Sequence, residues 1–192
     1  PADGINDDQT FWFLHFNLYF PDAIEITSNI SESCGFSTSC AGENDGEITA
    51  IVSGGVPPYS YVWTNESGAI ISTTETASSL TAGFYTVTVT DDQDDLIFDS
   101  NGDGLGVVCS ETFEITDPDP LEITLSDSES NLELLCAGDD DGSIFVNVSG
   151  GCEPYNYSWS NGTIGESAEN LTANIYTLTI TDSNGCEEIF SQ

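Results

Sequence analysis

The chain of 192 residues contains no lysine and no arginine, yet it contains 34 aspartate and glutamate residues. Proteins that bind nucleic acid or an anionic membrane surface use lysine and arginine to neutralise phosphate. The composition therefore excludes nucleic acid as a partner. No run of about 20 apolar residues occurs, so we also expect no direct membrane insertion. A chain with a formal net charge of −34 at pH 7 attracts cations instead, and Ca²⁺ first, because Ca²⁺ prefers carboxylate oxygens.

The sequence also lacks the motifs of the common enzyme classes. It has no G-x-S-x-G, no H-E-x-x-H and no phosphate-binding glycine loop. Its one histidine, His15, lies in an apolar run, where packing is the commoner role. No C-x-x-C pair is present, so a zinc site is not expected either. We therefore predict that the chain is not an enzyme.

What the chain does contain is a duplication. The block CAGENDGEITAIVSGGVPPYSYVW begins at Cys40, and CAGDDDGSIFVNVSGGCEPYNYSW begins at Cys136, an offset of 96 residues. A second shared block follows each copy, LTAGFYTVTVTD from Leu80 and LTANIYTLTITD from Leu171. A period near 100 residues indicates tandem copies of a whole domain rather than a solenoid of short units.

The pattern inside each copy predicts strands. Runs such as TVTVT and TLTIT alternate apolar residues with threonine, as in a strand that has one face in water. Turn residues separate these runs at intervals of about ten residues, which favours an antiparallel sandwich. The sequence therefore predicts an all-β fold of tandem immunoglobulin-like β-sandwich domains, with Trp63 and Trp159 as core anchors.

We divide the chain into three parts. Residues 1–22 are predicted to be the terminal strand or tail of a preceding repeat, and residues 23–118 and 119–192 to be two immunoglobulin-like repeats. The chain is thus expected to be part of a longer polypeptide, with Asp117–Pro120 as a short stiff linker. The apolar ribbon Phe11–Phe20 needs a sheet to join, and donation of this strand to another subunit is the alternative.

The two copies differ by an acidic insertion at 92–108, which contains a possible calcium loop. Asp99, Asn101 and Asp103, followed by glycine, match the D-x-N-x-D-G opening of such a loop. The twelfth position is Ser110 instead of the usual bidentate glutamate. Three nearby carboxylates are candidates to replace it: Glu111, Asp94 and Asp95. We expect Ca²⁺ to bind here, close to the linker in sequence. A bound ion would reduce repulsion among the carboxylates and stiffen the junction between the two repeats. The alternative is an acidic turn that is solvated and binds no metal.

Six cysteines in small β-rich units indicate disulfides and an extracellular location. The repeat matches Cys40 with Cys136 and Cys109 with Cys186, so the first prediction is two equivalent bridges, Cys40–Cys109 and Cys136–Cys186. That scheme leaves two cysteines over, Cys34 and Cys152. A rival scheme pairs Cys34 with Cys40 and Cys152 with Cys186, and sequence alone does not decide between them.

The order C-x-G-x-x-D-G-x-I, S-G-G-x-x-P-Y-x-Y-x-W and L-T-A-x-x-Y-T-x-T-x-T-D, closed by a cysteine, resembles the SprB-type repeat. The resemblance covers Cys40–Cys109 and Cys136–Cys186. It implies a β-sandwich module of a large surface adhesin of gliding bacteria, exported by type IX secretion. The expected partners are neighbouring repeats of the same polypeptide, and surface polysaccharide or other filament subunits.

Two other functions stay open. One is a carbohydrate-binding module of a secreted protein, which requires exposed aromatic side chains at Tyr59, Tyr61, Tyr155 or Tyr157. The other is a self-assembling filament subunit that uses Phe11–Phe20 as a donated strand.

Overall fold

The computed structural model of the chain describes residues 22–91, 108–136 and 138–192. Within these ranges every regular element is a β-strand, and no helix is long and apolar enough to cross a membrane. The strands are β1 (Glu25–Ile30), β2 (Gly46–Ser53), β3 (Tyr59–Asn65), β4 (Ile70–Ser72), β5 (Thr76–Leu80), β6 (Gly83–Asp91), β7 (Val108–Ile115), β8 (Glu122–Leu125), β9 (Gly142–Ser149), β10 (Asn156–Trp159), β11 (Ser167–Leu171), β12 (Thr177–Thr181) and β13 (Glu187–Ser191).

The first seven strands form a sandwich of two antiparallel sheets. One sheet has the order β1-β2-β5 and the other β4-β3-β6-β7. Along β6 the side chains of Tyr85, Val87 and Val89 are buried, while the intervening threonines reach the outer face. The alternation read from TVTVT is therefore the alternation between the core and the outer face of the sheet.

The remaining strands form a second sandwich with the same plan. Its sheets have the orders β11-β9-β8 and β10-β12-β13. Ile144, Val146, Leu178 and Ile180 form its core together with Trp159. The predicted fold class, tandem immunoglobulin-like β-sandwiches, is confirmed.

Equivalent residues make equivalent contacts in the two sandwiches. The indole of Trp63 is fully buried and donates to the Thr74 carbonyl at 3.1 Å, and Trp159 donates to the Gly165 carbonyl at 3.0 Å. Both tryptophans are thus core anchors whose polar atom is satisfied. The hydroxyl of Tyr85 likewise donates to a carbonyl four residues earlier, as does that of Tyr176.

A glycine turn follows β2 and β9 and contacts the incoming chain. Gly54 and Gly150 both have a φ of +74°, and a Cβ there would lie 2.0 Å from the Ala23 carbonyl oxygen or 1.9 Å from that of Pro120. Only glycine fits these positions. Each turn therefore holds the chain segment that enters its own sandwich.

Candidate functional site: the junction between the two sandwiches

The linker (116–121) is attached to the first sandwich by the loop between β1 and β2 (31–45). The carbonyl of Thr116 accepts hydrogen bonds from the amides of Ser37 at 2.9 Å and Thr38 at 3.2 Å. The Asp117 carboxylate accepts the Thr38 hydroxyl at 2.5 Å and the Gly42 amide at 2.7 Å. The start of the linker is thus fixed by four hydrogen bonds rather than free in solvent.

The other end of the linker is held by the second sandwich. Pro118 is buried, and the Asp119 carbonyl accepts the Gly151 amide at 2.8 Å. A proline-rich segment already has few accessible backbone conformations. With contacts at both ends, the predicted stiffness of Asp117–Pro120 has a structural basis.

The turn between β12 and β13 (182–186) is organised by Asp182. This side chain is only 6% exposed, and its carboxylate accepts the amides of Cys152 at 2.8 Å and of Asn184 and Cys186 at 2.9 Å each. Asp91, its counterpart in the first sandwich, accepts the Val56 amide at 3.0 Å. Asp182 therefore joins two loops at the end of the second sandwich that meets the first.

A disulfide crosses the junction. Cys40 of the β1–β2 loop is bonded to Cys186 of the β12–β13 turn, with an S–S length of 2.05 Å and a Cα–Cα distance of 5.8 Å. Asn184 adds polar contacts across the same boundary: its side-chain amide donates to the Ser39 carbonyl at 2.9 Å and its oxygen accepts the Ser33 hydroxyl at 2.7 Å. The junction is thus held by one covalent bond and a two-sided asparagine contact.

This bridge corrects the predicted pairing Cys40–Cys109. Cys109 lies on β7 opposite Val89, six residues before Ile115, at which β7 ends. At about 3.4 Å per strand residue, it is roughly 20 Å from the linker end of the sandwich, where Cys40 lies. Both cysteines belong to the first sandwich, but they lie at opposite ends of it.

The predicted pairing Cys136–Cys186 is wrong for the same reason. Leu134, two residues before Cys136, lies beside Gly142 and lines a pocket with Tyr176 and Gln192, at the far end of the second sandwich. The rival pairing of Cys34 with Cys40 and Cys152 with Cys186 is wrong as well, because Cys40 and Cys186 bond to each other. The thiols of Cys34, Cys109, Cys136 and Cys152 are free.

The predicted calcium ligands fall mostly outside the described residues. Asp94, Asp95, Asp99, Asn101 and Asp103 belong to the range 92–107, of which nothing is described. Glu111 is described, and it lies exposed on β7 opposite Val87. Among the residues that the structure describes, no three acidic, histidine or cysteine side chains are grouped to hold a metal ion. The calcium loop stays a prediction.

The insertion was expected to lie close to the linker, and the structure places its two ends elsewhere. It leaves the first sandwich at Asp91 and returns at Val108, whereas the linker begins after Ile115. Because Val108 pairs with Thr90 and Ile115 with Gly83, β7 carries the chain along the whole sheet, roughly 25 Å. The base of the insertion is thus close to the linker in sequence but lies at the opposite end of the sandwich.

Asp45 supports the segment that carries Cys40. Its carboxylate accepts the Ser39 amide at 3.1 Å. Hydrogen bonds from the side chain and the backbone of Ser39 lower the pKa of Asp45 below its usual 3.8, because they favour the charged form. Leu135 is the counterpart of Ser39 in the second copy and has no hydroxyl, so the side-chain hydrogen bond to Asp45 has no equivalent there.

The tyrosines of the carbohydrate-binding alternative are half-buried. Tyr59 and Tyr61 pack against the first core, and Tyr155 and Tyr157 against the second. The last two line an open groove together with Glu153 and Glu166. Burial raises the pKa of Tyr157, and the nearby Glu166 carboxylate raises it further.

Comparison with known proteins supports the resemblance read from the sequence. The family model of the SprB repeat matches residues 37–68 and 133–164, one stretch in each sandwich. No curated protein matches the chain significantly. Both matched stretches are consistent with the resemblance to the SprB-type repeat, and they fit a repeat segment of the adhesin type.

Two solved structures align over most of the chain. The C-terminal 282-residue fragment of intimin, in complex with the intimin-binding domain of the translocated intimin receptor, is 14% identical with a TM-score of 0.41. That alignment covers 89% of this chain and 64% of the intimin fragment. Dpr11 IG1 bound to DIP-gamma IG+IG2 is 13% identical over 88% of this chain and 96% of that one, with a TM-score of 0.33. The two antiparallel sheets of each sandwich define the fold of this chain.

Proposed function

We propose that this chain is a non-catalytic, load-bearing spacer segment of a long extracellular adhesin or surface filament that serves attachment or gliding motility. The observation that carries the proposal is the disulfide between Cys40 and Cys186. A cytosolic protein rarely keeps such a bond, whereas a cell-surface protein does. The SprB repeat matches support the adhesin class.

The bridge changes the path of a pulling force. The two cysteines are separated by 146 residues in sequence, yet their Cα atoms are 5.8 Å apart. A force applied to the two ends of the chain passes from Cys40 to Cys186 through the sulfur atoms. The strands between them, which make up most of both sandwiches, are therefore shielded from extension.

Single-molecule force spectroscopy tests this role. The chain is pulled from its two ends under oxidising conditions and compared with the double variant Cys40→Ala/Cys186→Ala. At about 3.6 Å per extended residue, unfolding of the variant should release roughly 500 Å more length than that of the oxidised chain. The variants are made in a background of Cys34→Asn and Cys152→Val, so that no other junction thiol contributes.

The outcome discriminates between roles. Equal contour lengths in the two proteins would refute force shielding and, with it, the load-bearing spacer. The variant Cys109→Ala/Cys136→Ala is the matched control, because it removes two cysteines that lie outside the bridge. It should behave as the oxidised parent chain.

We further propose that Ca²⁺ binds the acidic insertion through Asp99, Asn101 and Asp103, with Asp95 and Glu111 as additional ligands. The reason is the loop pattern together with the net charge of −34, since a bound dication offsets local repulsion. The ends of the insertion lie at the end of the first sandwich away from the linker. Calcium would therefore stiffen the boundary with a preceding segment, not the junction described above.

Thermal melts with Ca²⁺ and with a chelator test the calcium proposal. We expect a higher melting temperature with Ca²⁺, and loss of that shift in Asp99→Asn/Asp103→Asn. The variant Asp139→Asn/Asp140→Asn makes the same change of charge in the second copy and should keep the shift. Identical melting temperatures with and without Ca²⁺ would remove this part of the proposal.

The groove in the second sandwich favours one alternative, a carbohydrate-binding module. Two tyrosines flanked by two carboxylates, Glu153 and Glu166, are a combination that suits sugar hydroxyls and ring faces. A glycan array with the wild-type chain and Tyr157→Ala separates the two functions. Binding that the substitution abolishes would support the module, and an empty array would favour the spacer.

A further inference from the structure

Two of the free thiols lie at the junction, and neither has a counterpart in the other repeat. Cys34 is exposed in the β1–β2 loop of the first sandwich, whereas Cys152 is only 1% exposed in the β9–β10 turn of the second. At the repeat offset of 96 residues, Ser130 is the counterpart of Cys34 and Val56 that of Cys152. Neither cysteine is therefore part of the pattern that the two repeats share.

Asn184 brings the two thiols to one place. Its side-chain amide contacts the Cys152 sulfur at 3.2 Å, and its side-chain oxygen accepts the hydroxyl of Ser33 at 2.7 Å. Ser33 directly precedes Cys34 in the chain. Consistent with this placement, the Cys34 thiol is close enough to contribute to the raised pKa of the Cys152 thiol, after burial.

The backbone at Cys34 is unusual for a cysteine. Ser33 and Phe36 exchange two backbone hydrogen bonds, at 2.8 and 3.0 Å, around the two residues between them. Those residues, Cys34 and Gly35, have φ values of +60° and +84°, the signs of a type I′ turn. Asparagine is strongly preferred at the first of these positions, and other side chains are strained there. A cysteine at this position needs a reason other than the turn itself.

We propose that Cys34 and Cys152 form a second disulfide across the junction, beside the bridge from Cys40 to Cys186. The oxidant is a disulfide donor of an oxidising compartment, either a small-molecule disulfide or the disulfide of a thiol oxidase. The inference does not depend on the mechanical role proposed above.

The order of the reaction follows from exposure. The exposed Cys34 loses its proton and attacks the donor disulfide, which releases one donor thiol and leaves a mixed disulfide on Cys34. Burial, and then the Cys34 thiol, raise the pKa of Cys152 to about 12, so this thiol reacts second. Its sulfur attacks the Cys34 sulfur and releases the second donor thiol. One donor disulfide is thereby reduced to two thiols while two protein thiols become one disulfide.

The test uses the full chain, refolded in a mixture of reduced and oxidised glutathione and quenched with acid. Free thiols are then alkylated in denaturant and counted by intact mass. With both bridges present, two of the six cysteines remain to be alkylated, namely Cys109 and Cys136. With only the bridge from Cys40 to Cys186, four are alkylated, and that count would overturn the proposal.

Peptide mapping identifies the partners. Trypsin does not cut a chain without lysine and arginine, but chymotrypsin cuts after Phe36 and after Tyr155. These cuts separate Cys34 from Cys40 and Cys152 from Cys186. A peptide that joins Cys34 to Cys152 is expected. Peptides that join Cys34 to Cys40 and Cys152 to Cys186 would contradict the proposal even if the alkylation count were two.

Two variants remove one sulfur each while they keep the local fold. Cys34→Asn places the preferred residue in the turn, and Cys152→Val places the residue that the first repeat carries at that position. In either variant three cysteines should be alkylated, since the partner thiol loses its bond. A count unchanged from the wild-type chain would refute the pairing.

Discussion

Gly150 shows how single residues set the geometry of the junction. Its φ is +74°, and the carbonyl of the linker residue Pro120 occupies the space that a side chain would need. Gly162 has a similar φ of +86°, but no atom lies within 4 Å of its would-be Cβ. A side chain at Gly162 would therefore cost backbone strain alone, whereas a side chain at Gly150 would cost backbone strain and a steric clash.

We predict that Gly150→Ala destabilises the chain far more than Gly162→Ala. A left-handed conformation costs alanine about 1–2 kcal/mol, which is the whole penalty at Gly162. At Gly150 the Cβ would also lie 1.9 Å from the Pro120 oxygen, so the linker must move, and we expect a loss of about 3 kcal/mol or more. Urea denaturation measures both. Equal losses would mean that the linker moves away at no cost.

At the scale of an element, the β1–β2 loop depends on one carboxylate. Asp45 accepts the Ser39 amide, and hydrogen bonds from the Ser39 side chain and backbone lower its pKa below 3.8. The unfolded chain binds a proton at Asp45 more readily than the folded chain does. This contribution to stability is therefore complete above pH 3.8 and is lost as the pH falls through the lower folded pKa.

The variant Asp45→Asn should reveal this pH dependence. We expect it to unfold at a lower urea concentration than the wild-type chain at pH 7, and we expect the difference to shrink as the pH falls below 3.8. Asp140→Asn, a change at an exposed site in the second copy, is the control for charge alone. A difference that stayed constant with pH, or that the control reproduced, would contradict the role of Asp45.

Strands and cores could be predicted because they depend on local patterns. The alternation in TVTVT and TLTIT predicted strands β6 and β12, and the two tryptophans were identified as core anchors by their equivalent places in the repeat.

The pairing of the cysteines could not be predicted in this way. The sequence aligns Cys109 with Cys186, but Cys109 lies within β7 opposite Val89, whereas Cys186 precedes β13, whose first residue pairs with Thr181. Aligning the two copies by sequence does not reveal that these two cysteines occupy different positions relative to the last strand of each sandwich.

At the scale of the whole molecule, the duplication itself favoured the wrong inference. Equivalent copies suggest equivalent bridges inside each copy, so both pairing schemes stayed within one repeat. In a linear array, however, opposite ends of neighbouring domains face each other. The loop after β1 of one sandwich therefore meets the turn before β13 of the next, and Cys40 bonds to Cys186. The same logic places the exposed Cys136 where a following repeat of this kind would present its own turn.

This arrangement predicts that the bridge couples the unfolding of the two sandwiches. A disulfide that closes 146 residues reduces the entropy of the unfolded chain by the equivalent of about 5 kcal/mol. Without it, the described contacts across the boundary reduce to the linker and the hydrogen bonds of Asn184 with Ser33 and Ser39. In the background of Cys34→Asn and Cys152→Val, the variant Cys40→Ala/Cys186→Ala should therefore melt roughly 10–20 °C lower. Calorimetry should resolve the unfolding of the variant into two transitions, one for each core, whereas the bridged chain should give one transition.

A single unshifted transition in the variant would contradict this prediction. It would show that noncovalent contacts couple the two sandwiches and that the disulfide adds nothing to stability.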